Sequence, residues 1–276
     1  MQQRIETYGH KGLALRYIAA GQGSHLVIAF HGFGRSPDEF LPMISESEML
    51  LLCFYLPGHP GAAEITAEQI ELDVWCQLLE MIIERHKPKL ITVVGYSLGG
   101  RIALSTCMNW RIKNFRLVLL APDGIKMSGL QRFAMKHKWG MRLFRGLMRY
   151  PAVFIVLTQT LVKIGLLSNP LGHFLLRQLR EDSRRQVIMK VFPLFREFIS
   201  SESVTRNFLQ SLSDRLLIVL GKHDPVIPVM LVKKLPSTVV KKSVLIIDEA
   251  SHDLLSVRFV QRWKSFLLDL KLPIIR

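Results

Sequence analysis

Cysteine is scarce: Cys53, Cys76 and Cys107 are the three among 276 residues. They sit in apolar surroundings with no CxxC spacing, which argues against a disulfide framework or a cysteine metal site and fits buried thiols in a reducing cytoplasm. Long apolar runs are also missing. The most apolar stretch, residues 152–167, is short for a bilayer span and contains Lys163. The N-terminal residues 1–6 lack the apolar stretch of a signal peptide. A cytoplasmic, water-soluble chain is the expectation. Segments both polar and highly charged are few, which argues against disorder.

Acidic residues are under-represented as well, 22 against 37 Lys and Arg, for a net charge of +15. Such a balance invites a nucleic-acid reading, but the charge is unevenly spread. Residues 125–200 hold 14 Lys/Arg against 3 Asp/Glu, so 11 of the 15 net charges lie there. No stacking-aromatic motif or zinc-finger spacing accompanies them, and a nucleic-acid partner is not expected. Hydrophobic residues make up 49% and charged residues 21%, enough for one large domain with a sizeable core.

What is present is a rhythm. Short apolar, β-branched runs alternate with longer helical patterns, as in a mainly parallel α/β sheet flanked by helices. Residues 13–19, 26–30, 51–56, 90–95 and 115–120 read as strands. Residues 67–86 read as a helix with Thr66 as N-cap and Pro88 as the stop; 98–108 read as a second. From Ile125 to about Ser200 the pattern is helical and basic, with no convincing strand. Strands resume at 216–220 and 244–247, and a helix over 254–270 closes the chain. The expected organisation is a core of residues 1–124 and 201–276, interrupted by a helical cap over 125–200.

Gly95-Tyr96-Ser97-Leu98-Gly99 stands where a strand ends and a helix begins. Gly-x-Ser-x-Gly in that context is the nucleophile elbow, in which small neighbours let the backbone turn sharply and expose the serine. The helix start then aims N–H groups and its positive dipole end at the reaction centre.

A serine hydroxyl needs a base, usually a histidine oriented by a carboxylate. Downstream, Gly221-Lys222-His223-Asp224 follows one strand and Ser251-His252-Asp253 follows another. Both loops fall on the sheet edge where Ser97 emerges, the edge at which open α/β sheets bind ligands. The chain order Ser97, Asp224, His252 gives nucleophile, acid and base. His223 reads as solvent-facing. Asp123 is an alternative acid. Asp248 and Asp253 lie too near His252 in sequence to orient its ring, and His59 reads as a loop residue near the site.

Acyl transfer also needs donors for a developing oxyanion. The Leu98 N–H is one, and the loop His31-Gly32-Phe33-Gly34 supplies the other from Phe33. Together these segments resemble the α/β-hydrolase superfamily, over about 200 residues at both ends of the core. The resemblance implies a cofactor-free serine hydrolase with the cap inserted at 125–200. A serine at position 97 departs from relatives that use aspartate there, such as haloalkane dehalogenases and soluble epoxide hydrolases.

Gly95 to Arg101 further resembles the menaquinone-pathway 2-succinyl-6-hydroxy-2,4-cyclohexadiene-1-carboxylate synthases. That likeness implies a polyanion-binding role for Arg101; a surface helix residue is the other reading. Leu56-Pro57-Gly58-His59-Pro60 departs from the Asp-x-x-Gly-His-Gly of many relatives, and the cap looks longer. His31, Gly32, Tyr96 and Arg101 are expected to line the substrate.

Lys138, Arg142, Arg145 and Arg149 are spaced to share one helical face. Three readings remain open for this basic helix: a lid with solvated charges, a membrane-surface lid for lipid-like substrates, or a site for an anionic substrate. Under the last two, residues 152–167 would line an acyl tunnel. The expected activity is cleavage of a carboxylic ester or thioester through an acyl-enzyme. A synthase-like lyase and a hydrolase-fold binding protein without turnover are the alternatives.

Overall fold

Strands β1 (Gln3–His10), β2 (Leu13–Gly21), β3 (His25–Phe30), β4 (Met49–Phe54), β5 (Leu90–Tyr96), β6 (Arg116–Leu120), β7 (Leu216–Gly221) and β8 (Val244–Asp248) form one sheet, in the spatial order β1-β2-β4-β3-β5-β6-β7-β8. The computed structural model describes residues 3–44, 48–125, 138–242, 244–256 and 260. From β4 to β8 every neighbouring pair is parallel, and β2 and β1 join antiparallel at one edge. β3, β4 and β7 are buried at every position, as strands covered on both faces must be.

β1 was not anticipated from the sequence. It is an edge strand, largely exposed, so it lacks the apolar run that marks the others. Its register comes from a two-residue turn at Lys11 and Gly12, with φ of 48° and 78°. Two consecutive positive φ values match the right-handed twist of a hairpin.

Helices α1 (Leu72–His86) and α2 (Leu98–Asn109) cover one face. Trp75, Leu78, Leu79 and Ile82 of α1 meet Ile102 and Leu104 of α2 over the inward side chains of β3 to β7. Full burial of side chains of this size contributes roughly 1.5–3 kcal/mol each, and the Trp75 Nε1–H donates to Thr106 Oγ1 at 2.9 Å. The opposite face buries Val27, Ala29, Val94, Val118 and Val219 with Leu254 and Leu255.

The expected start of α1 is corrected. The helix begins at Leu72, and Thr66 does not cap it. The Ile70 N–H is drawn to the Leu194 carbonyl at 2.9 Å, and the Leu72 N–H donates to the Glu197 carboxylate at 2.9 Å. A carboxylate remote in sequence thus replaces the local cap. At the other end of the chain, Leu254 and Leu255 are buried but not helical and Val260 is helical. The rest of the expected closing helix lies outside the described residues, as do 126–137.

Between β6 and β7 run α3 (Lys138–Arg149), α4 (Pro151–Lys163), α5 (Asn169–Arg180), α6 (Asp182–Leu194) and α7 (Glu202–Leu212). Pro151 and Pro170 sit in the first turns of α4 and α5, where a missing N–H is not needed. These helices have an apolar centre of their own: Met148, Leu179 and Ile188 are buried together, and Phe144, Phe154, Phe192 and the core residue Phe33 pack on them.

Candidate active site

β5 delivers Tyr96 and Ser97 to the C-terminal edge of the sheet, and α2 starts at the next residue. Ser97 has φ 52° and ψ −114°, a conformation that costs a non-glycine residue about 1–3 kcal/mol and persists only where neighbours impose it. They do so here through the backbone. Its N–H donates to the Leu120 carbonyl at 2.9 Å, and its own carbonyl accepts from Gly100 and Asp123 N–H groups, each at 2.9 Å. A side chain at Gly99 would stand 1.9 Å from the Phe30 carbonyl oxygen, so only glycine lets the end of β3 approach this turn.

Two further loops converge on the hydroxyl. His252 Nε2 lies 3.1 Å from Ser97 Oγ, and His252 Nδ1 lies 2.6 Å from Asp224 Oδ2. The Asp224 side chain is fully buried. Its other oxygen accepts the N–H groups of Val226 and Ile227 at 2.7 and 2.9 Å, so one oxygen serves the loop and the other serves the imidazole. The loops themselves are joined: Lys222 N–H donates to the Asp248 carbonyl, and His223 N–H to that of Ala250.

The other polar candidates go elsewhere. His223 is exposed and bonded to Glu249, the solvent-facing placement expected of it. Asp123 forms an ion pair with Arg101. Asp253 pairs with Arg35 at 2.7 Å, and that guanidinium lies over the Tyr96 ring.

The loop at residues 31–34 abuts the same point. A Cβ built on Gly32 would lie 2.8 Å from the Tyr96 ring and 3.2 Å from Ser97 Cβ, so Gly32 packs directly against the serine turn. The His31 ring is buried and engaged on both nitrogens: it accepts the Leu56 N–H at Nε2, leaving Nδ1–H for the Gly32 carbonyl at 2.8 Å. Burial, helped by neighbouring His59, lowers its pKa to about 3. The edge-on His59 ring is lowered to about 4, again by burial. Both histidines stay neutral near pH 7.

Tyr96, which was expected at the substrate, is buried and donates its hydroxyl hydrogen to the His252 carbonyl at 2.7 Å; burial raises its pKa above the usual phenol range. Arg101 is buried against Asp123 instead of standing on a helix surface. Sequence reasoning did not single out Phe174 of α5, whose ring centroid is 6.5 Å from that of His252. A phenylalanine among the leucines of an amphipathic helix carries no local mark of such a position.

A serine hydroxyl beside an imidazole that is itself held by a buried carboxylate can surrender its proton while attacking a carbonyl carbon. Comparison with known proteins agrees with the architecture. The Alpha/beta hydrolase family model matches residues 26–266, and the chain belongs to that family. Bovine (Bos taurus) monoacylglycerol lipase ABHD6 is 24% identical over 135 residues, which are 47% of this chain and 40% of that one; the match therefore spans less than half of that relative. The pimeloyl-[acyl-carrier protein] methyl ester esterase of Vibrio vulnificus is 24% identical over 252 residues, covering 86% of this chain and 91% of the relative. Among solved structures, a thermophilic esterase from Thermogutta terrifontis superposes with a TM-score of 0.66 at 15% identity, over 97% and 98% of the two chains. At that identity the likeness is one of fold.

Proposed function

We propose that this chain is a serine hydrolase that cleaves a carboxylic ester or thioester through an acyl-enzyme. The observation that carries the reading is the continuous array from Asp224 Oδ2 through His252 to Ser97 Oγ, ending on a strained serine at a helix start. In this reading Ser97 Oγ attacks the acyl carbon as His252 Nε2 takes its proton. The N–H groups of Phe33 and Leu98 hold the oxyanion, and His252 returns the proton to the leaving alcohol or thiol. Water then repeats the sequence on the acyl-serine.

His31 and Tyr96 act in this scheme as supports, since their polar groups are engaged by protein, and so does Arg101, whose guanidinium is paired with Asp123. The Arg101 pair with Asp123 favours the hydrolase over a polycarboxylate lyase, which needs that guanidinium for substrate. Residues 125–200 act as the cap, a reading supported by Phe174 beside His252 and Phe192 against Phe33. The relatives named for esters of acyl groups agree with a small acyl substrate.

A fluorophosphonate probe tests the reading directly. Labelling of the native chain that disappears in Ser97→Ala, together with hydrolysis of p-nitrophenyl esters of graded chain length, is the expected result. A chain that takes no label and turns over none of these esters or the matching acyl-coenzyme A thioesters is not this enzyme.

A further inference from the structure

The outward faces of α3 and α4 are apolar where a surface helix is ordinarily polar. On α3, Met141 and Met148 turn inward and are buried, whereas Trp139 and Leu143, on the opposite side, are 75% and 61% exposed. Tyr150, between the two helices, is exposed as well. On α4, Val153, Val156 and Leu157 are exposed, at the three- and four-residue spacing of one helical face. Ile164 and Leu166 are exposed past the helix end. Residues 152–167, expected to line an acyl tunnel, thus present much of their apolar surface outward. So many large apolar side chains exposed on two neighbouring helices mark a contact site.

Charge decides which contact. Arg142, Arg145 and Arg149 are exposed along one flank of the α3 row, and the Arg142 guanidinium lies 5.5 Å from the Trp139 ring centroid. Lys163 adds another exposed cation at the end of α4. Residues 138–166 contain no Asp or Glu. A second copy of the chain would bring the same positive charge to this face and be repelled. A bilayer with acidic headgroups offers negative charge outside and apolar depth inside, which is the complement.

We propose that α3 and α4 form a docking face for an anionic phospholipid surface. Trp139, Leu143, Tyr150, Val153 and Val156 enter the boundary between headgroups and acyl chains. Arg142, Arg145 and Arg149 meet the lipid phosphates. Among the described residues no helix is long and apolar enough to cross a membrane, so the contact is peripheral. The face is independent of the chemistry proposed for Ser97. It is also close to that site, because α4 packs on α5, which carries Phe174.

The test uses full-length Ser97→Ala protein, so that no lipid is consumed, sedimented with vesicles of mixed phosphatidylglycerol and phosphatidylcholine or of phosphatidylcholine alone. Strong binding to the mixed vesicles, weakened by salt, is the expected result. Combined Arg142→Gln, Arg145→Gln and Arg149→Gln should lower that affinity on the order of 100-fold at low salt, about fivefold for each cation. Combined Trp139→Ser and Leu143→Ser should lower it about tenfold or more at every salt concentration. Circular dichroism checks that the variants are folded. Absence of binding to mixed vesicles, equal binding to both kinds, or unchanged binding by the folded variants overturns the proposal. So does a dimer in ultracentrifugation that Trp139→Ser with Leu143→Ser abolishes. Failure of the Ser97 reading shows separately, in probe labelling of the native chain.

Discussion

Tyr96 donates its hydroxyl hydrogen to the backbone carbonyl of His252 at 2.7 Å, tying the residue before Ser97 to the loop that carries the imidazole. The two sides of the candidate site are therefore fastened to each other as well as to the sheet. Removing the hydroxyl in Tyr96→Phe leaves the ring packing intact and frees the loop of a neutral hydrogen bond worth about 1 kcal/mol. We expect kcat/KM for a p-nitrophenyl ester to fall about fivefold, with fluorophosphonate labelling slowed in proportion. Unchanged kinetics would show that the loop needs no such tether.

Asp224→Asn separates orientation from folding. The loop wants an acceptor for the Val226 and Ile227 N–H groups, and the amide oxygen can serve there. That places the amide NH₂ toward His252 Nδ1, which must then accept, so Nε2 carries the hydrogen and cannot take the proton of Ser97. Under the proposed mechanism kcat falls on the order of 10³–10⁴-fold, while the thermal midpoint changes little. Asp224→Ala, by contrast, should lose both activity and stability.

Gly32→Ala probes the approach of the loop proposed to hold the oxyanion. The added methyl meets the Tyr96 ring at 2.8 Å, and that ring is held at its hydroxyl. The loop bearing Phe33 must give way instead. Displacement by roughly 1 Å costs on the order of 10²-fold in rate. The loss should appear in kcat, with KM nearly constant, in steady-state kinetics on a short ester.

Stability should fall in acid for a reason built into the core. His31 and His59 have folded pKa values of about 3 and 4 against 6.5 unfolded. Both are depressed, so below 6.5 the unfolded chain binds protons that the folded chain refuses. Their contribution is fully present above pH 6.5 and declines as the pH falls toward 4, by about 1.4 kcal/mol per pH unit for each histidine. Denaturant midpoints measured across that window should drop steeply. A flat profile would mean that these rings take up protons without unfolding.

Much of the fold was legible because its strands are buried on both faces and read as apolar runs; β2 to β8 were each located within two residues of an end. The glycines around Ser97, and the two polar loops beyond β7 and β8, marked the candidate site for the same local reasons. What escaped was set by partners far away in sequence. β1 is an exposed edge whose one sign is the Lys11-Gly12 turn. The start of α1 is decided by Glu197, which no local capping pattern could disclose. Arg101 carries a surface reading until Asp123 is brought beside it, and the spacing of the basic residues on α3 does not say that Trp139 and Leu143 stay exposed while Met141 and Met148 are buried.

β6 and β7 are hydrogen-bonded neighbours, Leu117 beside Leu216 and Leu120 beside Val219, although residues 121–215 run between them. Both ends of that excursion are anchored in the sheet, and the entropy of closing a loop grows only as the logarithm of its length. A lineage can therefore lengthen, shorten or exchange this contiguous piece of the gene in one event while inheriting Ser97, Asp224 and His252 unchanged. Under the proposed function, exchanging that piece would alter what reaches the serine while leaving the loops that carry Ser97, Asp224 and His252 intact.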